Sequence, residues 1–507
     1  MRLFKTIAGL RADLGGTRPD RDLGLVPTMG ALHAGHQSLV ERARAENEVV
    51  VASIFVNPLQ FGPQEDFQQY PRAIERDCQL CEQWGVDVVF APSAQELGVW
   101  GNNTLVIPPA EMLSVLCGPR RPGHFQGVAT IVTKLLAIAQ PTRAYFGEKD
   151  AQQLAIIRRL VRDLNLPVEI RAVAIARDTS GVALSSRNQY LTPVEKEQAP
   201  ILFRSLQAAK EEFNAGKRET SALLAPAKDK LTASPDVKLD YLEIVDPHTL
   251  RPLERIEVEG LVAIAAYLGS TRLIDNLLLR NRKPIIAIDG PAGAGKSTVT
   301  RRVARALGFL HLDTGAMYRA VTALVLEAGI DVEDEAAVAE LLDSAAIEFR
   351  VPNTESGTRV FVGEQDITST LRSSAITAHV SAVSRLPAVR QMLVAQQRNW
   401  GQKGGIVAEG RDIGTRVFPD AELKIFLTAS VGERARRRLQ DLKAQGEVEI
   451  DFERLEQDIQ RRDFLDSTRS LSPLRKAPDA IELTTDSLSV EEATQAILAL
   501  YEQSFVR

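Results

Sequence analysis

Twice in this chain an apolar, β-branched run leads straight into a glycine-rich turn and then into a segment with helical spacing. The first instance is residues 23–26, then PTMGALHAGH, then 37–45; the second is 284–288, then DGPAGAGKST, then 299–307. Apolar runs bounded by small residues and followed by a 3.6-residue period are the signature of a strand passing into a helix. Such βα units build parallel sheets covered on both faces, and those sheets bind ligands at the carboxyl ends of their strands. An α/β architecture with two separate ligand edges is therefore expected. At roughly 150 residues per domain, 507 residues make about three units.

The remaining organisation is read from changes of pattern. Further strands are expected at 49–55 and 86–90, with helices between them. Helices rich in Ala, Glu and Lys fill 190–235, and strands return at 239–245 and 261–268. The expected layout is a Rossmann-like domain over 1–178, a small α+β subdomain over 179–278 and a second α/β domain over 284–507. A long charged helical region is expected from 431 to 469.

Composition narrows the function classes. Hydrophobic residues are 44% and charged residues 25%, ordinary for a globular protein. A net charge of −5 lacks the basic excess of a polymer nucleic-acid binder. No apolar run reaches the ~18–20 residues of a membrane span, and the N-terminus has no signal-peptide pattern. Three cysteines in so long a chain do not form a disulfide framework. A cytoplasmic enzyme is expected, with no polymer nucleic acid and no membrane partner.

The first glycine-rich turn carries His33 and His36, which at i, i+3 share one face of a helix start. Helix-start N–H groups and two imidazoles suit the charge that develops on phosphate, and Gly35 would let a nucleotide approach the backbone. The plain alternative is a pair of ordinary helix-start histidines. Polar strand-end segments downstream favour a site: VASIFVNPLQF with Asn57 and Gln60, RPGHFQGVAT, YFGEKDAQQL and LSSRNQYL.

Together these segments resemble the pantothenate synthetase family of the HIGH-motif nucleotidylyltransferases, over about residues 1–275. The resemblance implies attack of the pantoate carboxylate on the α-phosphate of ATP, then displacement of AMP by the β-alanine amine. It implies that Met29, Gly30, His33, Gly35, His36, Gly147, Glu148, Lys149, Asp150, Ala176, Leu184, Ser185, Ser186 and Arg187 bind ATP. His36 would be the proton donor, with His33 and Lys149 also catalytic, and Asp150 near the ribose or Mg²⁺. Gln60, Gln153 and Asn57 would hold pantoate and β-alanine. It points as well to a homodimer through this half. Cys117-Gly118 stands where the family has Glu-Gly, and Ala151 where it often has an aromatic residue.

The second turn, GPAGAGKS from Gly290 to Ser297, fits G-x-x-x-x-G-K-[ST] after an apolar strand. Its backbone N–H groups, with Gly290, Gly293, Gly295 and Thr298, cradle phosphates; Lys296 neutralises them and Ser297 is a candidate Mg²⁺ ligand. The loop alone does not separate kinase from ATPase or GTPase. DTGAMYR, VAEGRDIGTRVFP and RRDFLDSTR add an arginine set, whose forks suit phosphate and base edges. These segments resemble the bacterial cytidylate kinase family over about 284–505, implying γ-phosphoryl transfer from ATP to CMP or dCMP. The resemblance puts Thr314, Arg319, Ser381, Arg390, Arg411, Asp412, Arg462, Asp466 and Arg469 at CMP, under a lid carrying 434–438. EGRD replaces the commoner DGRD.

The alternatives are another nucleotidylyltransferase joined to a different monophosphate or small-molecule kinase, or a non-catalytic nucleotide sensor. Cys78 and Cys81 form a CxxC that reads as an amphipathic helix with both thiols inward, since no further ligand completes a zinc site. His248, His311 and His379 have no assigned chemistry.

Overall fold

The computed structural model describes residues 1–15, 22–62, 67–99, 101, 103–234, 236–345, 347–350, 359–444, 451–468 and 472–505. The chain divides into two compact units, Met1–Asn281 and Arg282–Arg507.

The first unit holds six parallel strands, β1 (Arg2–Phe4), β2 (Leu23–Thr28), β3 (Val49–Ile54), β4 (Val88–Phe90), β5 (Arg143–Gly147) and β6 (Glu169–Val173), in the order β1-β4-β3-β2-β5-β6. The order runs outward in one direction from β2 to β4 and in the other from β5 to β6. The topological switch point thus lies between β2 and β5, where a crevice forms at their carboxyl ends. One core packs Leu25, Val51 and Phe146 against the His124–Ala139 helix; another packs Val26, Val50 and Cys81. Cys81 is buried and Cys78 half-buried on the Ile74–Gln83 helix, so the CxxC is packing.

Three strands escaped the sequence pattern. β1 is three residues long, while β5 and β6 carry Arg143 and Arg171 at buried positions. Arg143 spends its charge internally, donating to Asp22 Oδ2 at 2.9 Å and Asn47 Oδ1 at 3.0 Å. Buried charges are tolerated when paired in this way.

A second layer of the same unit is an antiparallel sheet of β7 (Val237–Val245), β8 (Glu259–Leu268) and β9 (Thr271–Arg280), covered by the Ile201–Asn214 and Thr220–Thr232 helices. β9 was not expected, because the 271–280 stretch reads TRLIDNLLLR with charges interleaved.

The second unit has β10 (Lys283–Asp289), β11 (Leu310–Asp313), β12 (Ile347–Arg350), β13 (Arg359–Val362), β14 (Gln365–Asp366), β15 (Gly404–Gly410), β16 (Leu423–Thr428) and β17 (Ile481–Thr484). Five of these pair in parallel, in the order β11-β15-β10-β16-β17; β12, β13 and β14 form a small antiparallel sheet. The expected 431–469 region is described as two helices, Val431–Ala444 and Phe452–Thr468.

Candidate active sites

In the first unit β2 ends at Thr28, and the chain turns through Met29–Leu32 before the Ala34–Glu46 helix. Thr28 Oγ1 donates to Ser53 O at 2.7 Å and accepts the Gly30 N–H at 3.2 Å. The turn needs positive φ at Gly30 (83°) and at Ala31 (51°), the latter unfavourable for a residue with a Cβ. Asp77, 1% exposed, holds it there: its carboxylate accepts the N–H groups of Ala31 (3.0 Å) and Leu32 (2.9 Å). Nothing in the sequence near Asp77 signals this task, because its partners are more than forty residues away.

His33 caps the helix. Its Nδ1 accepts the Gly35 N–H at 3.1 Å, while His36 Nδ1 accepts the His33 N–H at 3.3 Å, a reciprocal capping box made of two imidazoles. Because both Nδ1 atoms act as acceptors, the bonding assigns each ring its proton at Nε2. Burial pushes His33 down to about 4, helped by the Lys149 ammonium, and pushes His36 down to about 3, helped by His33. The rings, with centroids 4.1 Å apart, are neutral near pH 7.

The reason for Gly35 differs from the one expected. A Cβ there would lie 2.8 Å from His33 Cε1, so the glycine makes room for the capping ring. Asn57 also departs from expectation. It is buried, donates to Gln60 Oε1 (3.1 Å) and Gly127 O (3.0 Å), and accepts the Leu59 N–H (3.2 Å). It orients Gln60, whose Nε2 lies 2.7 Å from Met29 Sδ, and both of its amide atoms are engaged within the protein.

The other strand at the switch point, β5, ends at Gly147 and leads into a 3₁₀ turn, Glu148–Asp150. Asn276 on β9 pins this turn by donating to Glu148 O (2.8 Å) and Lys149 O (2.9 Å). Gln152 faces inward to Met112 O and Val115 O. Gln153 instead lines a cavity of about 740 Å³ with Lys149, Asp150, Ser185, Arg187 and His124. Met29, His33, His36 and Gln60 are not part of that lining. They adjoin it: the Cβ position of Gly35 is 3.7 Å from Leu184 Cβ, and Lys149 and Asp150 act electrostatically on both imidazoles. Leu184 is fixed by its N–H to Ala176 O (2.9 Å), and Ser185 Oγ accepts the Arg187 N–H at the start of the Ser186–Tyr190 turn. Cys117 Sγ lies 3.3 Å from Tyr241 Oη, and Ala151 packs in the same cluster.

In the second unit β10 delivers the phosphate loop. A Cβ on Gly290 would meet Leu427 O at 1.9 Å, and Gly293 and Gly295 have φ of 78° and 85°. Lys296 opens the Lys296–Leu307 helix, its Nζ donating to Pro291 O at 2.7 Å; burial, with Arg411 nearby, holds its pKa well below the usual lysine value. Ser297 Oγ donates to Glu409 Oε2 at 2.6 Å. Asp289 accepts the N–H groups of Ile413 and Gly414, both at 2.7 Å, and burial raises its carboxyl to about 6.

The loop opens on a cavity of about 1680 Å³ lined by Gly293, Gly295, Lys296, Ser297, Thr298, Thr314, Arg319, Ser381, Arg390, Arg411, Asp412, Arg462 and Asp466. Arg390 pairs with Asp412, and Arg411 Nε donates to Asp466 Oδ2 at 2.9 Å. Burial and mutual repulsion lower the pKa of Arg319, beside Arg462, Arg372 and Arg411, and of Arg462, beside Arg411. Crowded guanidiniums of this kind call for an anion between them. Arg372, absent from the sequence expectations, joins the lining. Arg434, expected on a lid, is buried and donates to Ala292 O (3.2 Å) and Asp463 Oδ1 (2.9 Å), so it is tied to the phosphate loop. Arg469 lies outside the described residues.

Two family models together match nearly the whole chain: Pantoate-beta-alanine ligase over residues 2–278 and Cytidylate kinase over 286–503. The chain belongs to the bifunctional pantoate ligase/cytidylate kinase family. A relative of that description from Trichormus variabilis is 56% identical over 529 residues, covering 99% of both chains. One from Synechocystis sp. is 57% identical over 508 residues, again 99% of each. The crystal structure of pantothenate synthetase from Thermus thermophilus is 48% identical with a TM-score of 0.52, covering 55% of this chain and 99% of that one.

Proposed function

We infer that the chain is a two-activity enzyme, joining pantoate to β-alanine in one unit and phosphorylating CMP or dCMP in the other, with ATP as the substrate of both. One observation carries the reading: two helix starts, at Ala34 and Lys296, follow strand ends in separate compact units, and each faces its own set of N–H donors and cations.

In the ligase unit a pantoate carboxylate oxygen bonds to the α-phosphorus of ATP, pyrophosphate leaves, and pantoyl adenylate remains. The β-alanine amine then attacks the activated carbonyl and AMP departs. His33 and His36, neutral and protonated at Nε2, act as hydrogen-bond donors to the charge gathering on phosphate oxygens; at about 3, His36 is too weakly basic to shuttle protons near pH 7. Lys149 and Arg187 supply cationic charge, Ser185 and Ser186 hold the phosphates, and Gln60 and Gln153 grip pantoate.

In the kinase unit a CMP phosphate oxygen bonds to the γ-phosphorus as the bond to the β-phosphate oxygen breaks, leaving ADP. Positioning and charge neutralisation do most of the work. Arg319, Arg411 and Arg462 hold the CMP side, while Lys296 and the loop N–H groups hold ATP. Ser297 Oγ and the Glu409 carboxylate present hard oxygen ligands, which fit Mg²⁺ bound through one or two protein oxygens plus phosphates. Bound there, Mg²⁺ neutralises β- and γ-phosphate charge.

Among the described residues no helix is long and apolar enough to cross a membrane, which supports a cytoplasmic setting. The ligase unit is proposed to pair with a second copy. The test is incubation of the full chain with ATP, pantoate and β-alanine, and separately with ATP and CMP, dCMP or UMP. Equal amounts of AMP and pantothenate, and CMP or dCMP preferred as acceptor, are expected. Failure to form AMP and pantothenate overturns the ligase reading, and preference for UMP overturns the cytidylate reading.

A further inference from the structure

His311 stands apart from the functions read in the sequence, yet it lies at the centre of the kinase site. Asp313 on β11 is in register with Glu409 on β15, so His311, two residues earlier, shares the sheet face of both carboxylates. Its Nε2 is 2.9 Å from Glu409 Oε1, and the other oxygen of that carboxylate takes the Ser297 hydroxyl at 2.6 Å. The imidazole is 9% exposed, and its Nδ1 is buried with no hydrogen-bond partner among the described residues. A bare Nδ1 lone pair is the tolerable orphan, whereas a buried N–H without an acceptor costs more. The bonding therefore assigns the proton to Nε2, which donates to Glu409.

Glu409 stands where the family commonly has Asp, and its extra methylene gives the carboxylate a longer, looser reach. We propose that His311 is a positioning residue: by holding Glu409 Oε1 it keeps Oε2 aimed at Ser297 and the metal-bearing phosphates of ATP. The histidine never touches substrate. It acts only through the carboxylate, as outer partners of metal-site ligands do.

This inference rests on the kinase reading, and its test separates the two. Binding of a fluorescent ATP analogue to the full chain is titrated with Mg²⁺ and again with EDTA, alongside CMP kinase kinetics. His311→Leu should weaken Mg²⁺-dependent binding by about tenfold, in line with loss of an outer-shell partner, and raise KM for MgATP. Binding in EDTA and KM for CMP should stay within about twofold, since neither uses Glu409. His311→Gln, which retains an N–H for Glu409, should recover most of the loss. His311→Asn, too short to span the contact, repeats the Leu comparison if Leu is not tolerated in the core. Equal weakening with Mg²⁺ and EDTA would assign His311 to packing alone and overturn the proposal, as would an unchanged His311→Leu. Failure of the unsubstituted chain to phosphorylate CMP would overturn the kinase reading, while the binding titration would still report on His311.

Discussion

Asp77 offers a sharp test of how the ligase site is held, because it lies on a different helix from every proposed substrate contact. Its carboxylate accepts two N–H groups in the turn between β2 and the histidine pair, at 3.0 and 2.9 Å, and is nearly inaccessible to water. Asp77→Ala leaves both donors buried and unpaired. At about 1.5–3 kcal/mol for each hydrogen bond to a charged acceptor, the loss is about 3–6 kcal/mol. At ~2–4 °C per kcal/mol for a unit of this size, the ligase transition should fall by about 6–24 °C. Asp77→Asn keeps one acceptor oxygen and should lose about half as much. The catalytic consequence is larger than the thermal one, since a ~1 Å shift of the imidazoles can cost about 10²-fold in rate. The assay is AMP release dependent on pantoate and β-alanine, read beside CMP phosphorylation and a calorimetric scan. A wild-type ligase kcat/KM in Asp77→Ala, with an unmoved ligase transition, would refute the reasoning.

Three further outcomes follow from the same geometry. Gly35→Ala should displace the His33 ring through the 2.8 Å clash and cut pantothenate formation by at least ~10-fold, with only about 1 kcal/mol lost from the helix cap; unchanged ligase kinetics would show that the ring has room. With folded pKa values of about 4 for His33 and about 3 for His36, below the unfolded ~6.5, the unfolded chain binds more protons between those limits. These residues therefore lower ligase stability as pH falls from ~6.5 towards 4, and His36→Asn should flatten the change in urea midpoint between pH 7 and pH 5; an equal slope in both proteins contradicts the depressed pKa. Gly290→Ala should abolish CMP phosphorylation, because the added methyl cannot share space with Leu427 O; that measurement fails the argument if the kinase rate survives.

The elements carrying chemistry were legible where several neighbouring residues declare one task. The phosphate loop and the 33–36 turn are such places, since the glycines, capping residues and strand lie together in sequence. Residues acting across the fold were not legible. Asp77, Asn276 and His311 each meet partners from 45 to 128 residues away, and no local pattern marks an aspartate as a turn brace or an asparagine as a loop pin. β5 and β6 were hidden for a related reason: Arg143 and Arg171 break the apolar run, and only the tertiary network accounts for their burial. Asn57 shows the converse error. A polar residue at a strand end looked like a substrate ligand, but its amide is consumed in fixing Gln60.

The central claim is that one chain houses two ATP-using sites that work separately. It is tested most directly by assaying both reactions in the full-length His36→Ala and Lys296→Ala proteins. Loss of a donor or cation at developing phosphate charge should lower the affected rate by about 10²–10³-fold. His36→Ala is predicted to lose pantothenate formation and keep CMP phosphorylation, and Lys296→Ala to do the reverse. Either substitution silencing both reactions, or leaving both intact, would contradict the account.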